Sequence, residues 1–91
     1  MALLSEARIR ERLAALDGWH REGTEIRKTY EFPSFPAAVA FVNRVAALAE
    51  EADHHPDIDI RYRQVGLTLS THSAGGLTDQ DFDLAEAIDS E

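Results

Sequence analysis

The stretch "DIDIRYRQVGLTLSTH", residues 57–72, reads as two short strands with almost nothing between them. Ile58, Ile60 and Tyr62 alternate with Asp57, Asp59 and Arg61, and Val65, Leu67 and Leu69 alternate with Gly66, Thr68, Ser70 and His72. A period of two sends successive side chains to opposite faces of a sheet. Arg63 and Gln64 are too short a connection for a parallel crossover, so the pair is expected to be an antiparallel hairpin with Tyr62 in the core. One face is apolar and the other polar, so one face alone needs a cover.

The cover is visible on both sides of the hairpin. Upstream, "AAVAFVNRVAALAEEA" at 37–52 carries Phe41, Val45 and Leu48 in one apolar row and Ala38, Val42, Ala46 and Ala49 in a second. Ser34 and Pro36 supply its start, as N-cap and first-turn proline. Between Ala37 and Ala49 only Asn43 and Arg44 are polar. A helix apolar around most of its circumference needs partners on more than one side, here the sheet and a second subunit. Downstream, Gly75 and Gly76 close a loop, and Thr78 caps a last helix carrying Phe82, Leu84, Ala85 and Ile88. Asp81, three residues after Thr78, completes a capping box, so its default role is structural.

Nearer the amino terminus, Ser5 caps a helix with Ile9, Leu13 and Leu16 on one face, and Gly18 stands where it should stop. From Trp19 to Phe32 the pattern is a hairpin turning at Gly23, with Ile26, Tyr30 and Phe32 on the inner face and Lys28 as an interruption at the rim. His20, alone in the first strand, reads as a surface residue. The order is α-β-β-α-β-β-α: an α+β fold, a four-stranded antiparallel sheet with helices on one face. The 91 residues make one domain.

A chain of this length buries only roughly 60–65 % of the surface its unfolded form exposes. It has no cysteine to add a disulfide or a thiolate metal site. Association is the remaining route to more buried surface, so an oligomer is expected. The apolar start of "MALLSEARIRERL" is too short for a signal peptide, and no run reaches the roughly 20 apolar residues of a membrane span, so a soluble cytoplasmic protein is expected. With 17 acidic residues against 9 basic, net charge −8, direct contact with nucleic-acid phosphates is disfavoured.

Chemistry concentrates at the seam "EEADHHPDIDIRY", residues 50–62. Pro56 forces His55 out of helical geometry, and neighbouring side chains on an extended chain point apart. His54 and His55 are therefore expected to line different walls of a site. The hairpin brings the end of its second strand beside the start of its first, so His72 joins them. Glu50, one helical turn before His54, and the adjacent Asp53 are placed to orient imidazoles. Such a set suits proton transfer at neutral pH. Solvated loop histidines fit the spacing equally well. Zinc is the sharper alternative, but HExxH and HxH patterns are absent and ligation by both members of a His-His pair is awkward. Nothing in the chain forms a nucleophile elbow or a Gly-rich phosphate loop.

With those residues in view, the sequence resembles the pterin-4a-carbinolamine dehydratases. Glu50, His54, His55, Pro56, Tyr62, His72 and Asp81 stand at the family's spacing, and "LTLSTHSAGGLTDQDFDLA" extends the likeness through the last helix. "LDGW" and residues 32–52 extend it towards the amino terminus; Ile58 departs from it, where many relatives carry an aromatic residue. The resemblance implies loss of water from 4a-hydroxytetrahydropterin to give quinonoid dihydropterin, without metal or cofactor, in tetrahydrobiopterin recycling beside an aromatic amino-acid hydroxylase. It places His54, His55 and His72 around the pterin, with Glu50, Asp53, Asp81, Ser70 and Thr71 in support. His54 and His72 are the expected proton-transfer pair, with His55 placing the ring. The resemblance also implies a homodimer or homotetramer, formed through the 37–49 helix. Two alternatives stay open: a dimerisation module of the kind that serves a homeodomain transcription factor, and a catalytically silent pterin-binding relative.

Overall fold

The computed structural model describes residues 2–90. Helix α1 (Glu6–Ala14) is followed by β1 (His20–Glu22), β2 (Glu25–Glu31), α2 (Phe35–Ala52), β3 (Asp57–Arg61), β4 (Gln64–Leu69) and α3 (Asp79–Asp89), with a single 3₁₀ turn (His72–Ala74) before α3. The four strands form one antiparallel sheet in the order β1-β2-β4-β3. The α+β order and architecture expected from the sequence are those observed.

The register explains the two faces. Ile58 lies opposite Leu67 and Lys28 beyond it, while Ile60, Val65 and Tyr30 form the next row. On this side Ile26, Val65, Leu67 and Leu69 are buried against Ala38, Phe41, Val45 and Ala49 of α2 and Phe82, Ala85 and Ile88 of α3. Each such aliphatic side chain removed from water contributes about 1.5–3 kcal/mol. The opposite face carries Asp57, Asp59, Arg27 and Thr68 and stays open to solvent or partly so.

Several local signals act as the sequence suggests. The Ser5 and Ser34 hydroxyls accept from the N–H groups of Arg8 and Ala37, at 3.1 and 3.2 Å, so each caps its helix. Lys28 occupies an inner-face position, but its ammonium leaves at the rim to meet the Asp17 carbonyl at 2.8 Å and Asp89 at 3.2 Å. Asp89 also accepts from Trp19 Nε1–H at 2.9 Å and from the Tyr30 hydroxyl at 2.5 Å, which ties the end of α3 to β2. Earlier along the same helix Arg12 holds Asp79, Asp83 and Glu86 at 2.8, 3.0 and 3.0 Å, joining α1 to α3.

Three expectations are corrected. Tyr62 is not core: the β3–β4 turn is Tyr62–Arg63 rather than Arg63–Gln64, and Tyr62 is 72 % exposed with φ 55°. Alternation predicted an inward side chain only if the strand continued, and it ends at Arg61. Gly18 does not end α1, which stops at Ala14 with Ala15 as its cap; Gly18 instead turns the following loop with φ 82°. His72 does not end β4, which stops at Leu69; it opens the 3₁₀ turn beyond it. Ile58 and Ile60 share the inner face yet remain 38 % and 41 % exposed, because β3 is the sheet's edge and lies beyond the helical cover.

Candidate active site

The site begins where α2 ends. Asp53 takes the left-handed conformation, φ 51° and ψ 42°, which a short polar side chain tolerates better than most. The His54 N–H then reaches back to the Ala49 carbonyl at 3.0 Å and closes the helix terminus. After this turn Pro56 commits the chain to β3, and the two imidazoles part as the extended geometry requires.

His54 turns inward and is largely buried, with Nε2 2.6 Å from Asp81 Oδ1. Asp81 is 0 % exposed and fully satisfied. Its Oδ2 accepts the Thr71 hydroxyl at 2.9 Å and the Thr78 N–H at 2.9 Å, the second bond being half of the capping box of α3. A buried carboxylate is tolerable when donors surround it, and here three do. Because a carboxylate accepts, His54 donates its Nε2–H to Asp81, which leaves Nδ1 outside that bond.

His55 turns outward, and its Nε2 meets Glu50 Oε1 at 2.7 Å. Glu50 therefore pairs with His55, not with His54 as helical spacing suggested. The spacing argument assumed that the helix ran on, whereas the left-handed Asp53 rotates the chain beyond it. The third imidazole, His72, comes from the 3₁₀ turn, which is closed by the Thr71–Gly76 bridge and is exposed at its start. Ser70 is anchored beside it by donating its hydroxyl to the Thr24 carbonyl at 2.9 Å.

These elements border an open cavity of about 400 Å³ lined by Asp53, His54, His55, Ser70, Thr71, His72, Ser73 and Gln80. Glu50 and Asp81 stand outside its lining, each holding one histidine. Ser73 and Gln80 were not anticipated. Gln80 precedes the buried Asp81 in the first turn of α3, and that neighbour was the available signal, since adjacent residues on a helix face different ways. Among the described residues, no group of three or more His, Asp or Glu side chains is gathered as metal ligands would be. No helix among them is long and apolar enough to cross a membrane.

An imidazole-lined polar cavity with carboxylates behind two of its rings can bind a polar heterocycle and move protons at two of its atoms. Known proteins resemble the chain over nearly its whole length. A protein of Roseiflexus castenholzii, provisionally named a pterin-4-alpha-carbinolamine dehydratase, is 67 % identical over 97 % of this chain and 95 % of its own. One of Chloroflexus aurantiacus with the same provisional name is 60 % identical over 98 % and 96 %. Among solved structures, a protein of Brucella melitensis described as a transcriptional coactivator/pterin dehydratase superposes with TM-score 0.92 at 36 % identity, over 96 % of this chain and 95 % of its own. A pterin dehydratase-like protein described as a RuBisCO assembly factor in the alpha-carboxysome gives TM-score 0.64 at 26 % identity, over 79 % and 83 %. The pattern of the family described as "Pterin 4 alpha carbinolamine dehydratase" runs through residues 2–91, and by that span and these identities the chain belongs to it.

Proposed function

We propose that this chain eliminates water from 4a-hydroxytetrahydropterin to give quinonoid dihydropterin, using His54, His55 and His72 without a metal or an organic cofactor. The observation that supports the reading is the shared cavity: three imidazoles line one space, two of them with a carboxylate behind the ring. In the reaction the C4a–O bond breaks, and the hydroxyl leaves as water on receiving a proton from an imidazolium. The N5–H proton passes to a neutral imidazole, and the electron pair released forms the C4a=N5 bond. One proton is given and one is taken, so the protein returns to its starting state after exchange between the two rings.

His54 and His72 are the proposed proton-transfer pair. They enter from different elements, the seam after α2 and the turn after β4, which supports separate roles at two atoms of one ring. His55, with Nε2 engaged by Glu50, places the ring, while Asp53, Ser70 and Thr71 offer polar contacts around it. The reading sets the chain in tetrahydrobiopterin recycling, after an aromatic amino-acid hydroxylase. The test is dehydration of 4a-hydroxytetrahydropterin followed by absorbance in a coupled hydroxylase assay, for wild type and His72→Ala. Acceleration that falls by about 10²–10⁴-fold in the variant supports the reading. A folded wild type no faster than the uncatalysed reaction overturns it.

A second reading, of the binding-module class, draws on the outer side of α2. Phe35 is 49 % exposed, and Val39, Val42 and Ala46 follow it at helical spacing with partial or full exposure. A stripe of this kind, on a chain similar to a protein described as a transcriptional coactivator/pterin dehydratase, supports a protein contact. We assign that contact to a second copy of the chain, in a dimer or tetramer formed through residues 37–49.

A further inference from the structure

Away from the histidines, the inner side of the sheet leaves aromatic surface uncovered. Tyr30 of β2 and Phe32 just beyond it face the helices yet are only partly buried. Both rings lie against Phe41 of α2, with centres 4.7 and 4.9 Å from its own. The three rings line an open hollow of about 360 Å³, together with Ile88 and the charged side chains of Asp17, Lys28, Arg44 and Asp89. No residue of this lining belongs to the histidine cavity.

Two of the four charges are already matched. Lys28 and Asp89 pair at 3.2 Å, and Asp89 also accepts from Trp19 and Tyr30. Arg44 has no carboxylate partner among the described residues, and its guanidinium lies over the Phe41 ring at 5.8 Å. The Asp17 carboxylate likewise meets no cation among them; only its backbone carbonyl is engaged, by Lys28. One unmatched cation and one unmatched anion thus border a single aromatic-floored hollow without pairing with each other.

We propose that this hollow binds a free α-amino acid with a large apolar side chain. Arg44 takes the carboxylate, Asp17 takes the ammonium, and the side chain rests on Tyr30, Phe32, Phe41 and Ile88. A purely anionic ligand would meet Asp17 and a purely cationic one Arg44, so a zwitterion is the charge type that neither repels. The hollow falls within the roughly 300–1,000 Å³ typical of small-molecule sites. Residues two apart on a helix lie about 200° apart around its axis, so a protein contact through Ala46 does not cover Arg44. The proposal stands independently of the dehydratase reading.

The test is calorimetric titration of the full chain with phenylalanine, N-acetylphenylalanine, phenylalaninamide and alanine. Phenylalanine should bind at about millimolar concentration or below. Each of the other three lacks one contact and should bind about tenfold more weakly, the scale of one charge-assisted hydrogen bond or one buried side chain. Arg44→Gln and Asp17→Asn, both at exposed positions, should weaken phenylalanine by a similar factor and leave Tm unchanged. Arg44→Gln should not change the affinity for phenylalaninamide, which has no carboxylate to lose. In heteronuclear NMR, phenylalanine should move the signals of Lys28, Phe32 and Arg44 and leave those of His54 and His72 in place. No binding of phenylalanine, binding that neither variant weakens, or shifts confined to the histidine cavity overturns the inference.

Discussion

One carboxylate serves two elements: Asp81 Oδ1 lies 2.6 Å from His54 Nε2, while Oδ2 accepts the Thr78 N–H that starts α3. The cap of a helix and the orientation of a site histidine are thus fixed by a single side chain.

Asp81→Asn separates the two roles. The remaining amide oxygen can still accept from Thr78, but an NH₂ group brought against His54 meets a donor unless the imidazole changes tautomer. Under the dehydratase reading kcat should fall by about 10–100-fold, the scale of losing a partner that orients a histidine. Leaving a buried donor unsatisfied should cost about 1–3 kcal/mol of stability. Thr78→Ala loses the other half of the cap and should lower stability by about 1 kcal/mol, typical of an N-cap. The discriminating readout is the pH profile of kcat/KM, which should change in Asp81→Asn and keep its form in Thr78→Ala. Matching profiles in both variants would reduce Asp81 to a helix cap.

His55 and Glu50 form an exposed pair, and such pairs are worth about 0–1 kcal/mol. Glu50→Gln should therefore leave thermal stability within error of wild type. If the pair sets where the ring lies, KM should rise a few-fold while kcat holds. His55→Ala should raise KM further, whereas His54→Ala should lose kcat. A His55→Ala enzyme that loses kcat at unchanged KM, beside a His54→Ala enzyme with kcat intact, would reverse the assigned roles.

The fold was legible because its signals are local and repeated. The alternation in 57–69, Ser34 with Pro36, and Thr78 with Asp81 each rely on neighbours within a few residues. What the sequence concealed depends on where a period stops. Tyr62 continues the alternation on paper but falls one residue beyond the strand, in a turn that carries it outward. Glu50 follows helical spacing towards His54, yet α2 ends at Ala52 and the pairing passes to His55. The capping box accounted for only one oxygen of Asp81; the other bonds a histidine 27 residues away, a contact that no local pattern encodes. Lys28 appears as an error in a strand until Asp89, at the far end of the chain, receives its charge.

Tyr62 offers a direct check on its placement. With φ 55° it sits where glycine is at ease and a bulky side chain is not, at a cost on the order of 1 kcal/mol. Tyr62→Gly should leave stability unchanged or raise it by up to about 1 kcal/mol in urea unfolding of dilute protein. A core tyrosine would instead lose about 3–5 kcal/mol on truncation, by analogy with large aromatic deletions. A loss of that size would return Tyr62 to the interior.

Arg12 is 11 % exposed at its side chain and meets carboxylates from Asp79, Asp83 and Glu86, each more open to solvent than itself. Burial works against its charge, and the hydrogen bonds it donates to Asp79, Asp83 and Glu86 outweigh that, holding its pKa above the usual arginine value. Arg12→Met keeps much of the stem but leaves three carboxylates facing one another. The loss should be about 1–3 kcal/mol, between an exposed pair and a buried one. For a domain of this size that corresponds to a drop in Tm of about 4–8 °C per kcal/mol. Added salt should recover part of it by screening the acids. A Tm equal to wild type at low salt would show that α1 is held to α3 by apolar contacts such as Ile9 alone.

The exposed stripe on α2 makes the last prediction. Ala46 is exposed although its helix is among the most apolar segments of the chain, so a carboxylate there disturbs little within one copy. If α2 packs against α2 of a second copy, Ala46→Glu places like charges across the contact, and burying them costs several kcal/mol. Light scattering at micromolar concentration should then show wild type at a multiple of 10.1 kDa and the variant at a smaller one. Circular dichroism should report the same helical content for both. An unchanged mass in Ala46→Glu would move the contact away from this stripe. The β3 edge, where Ile58 and Ile60 lie open, would then be the next surface to charge.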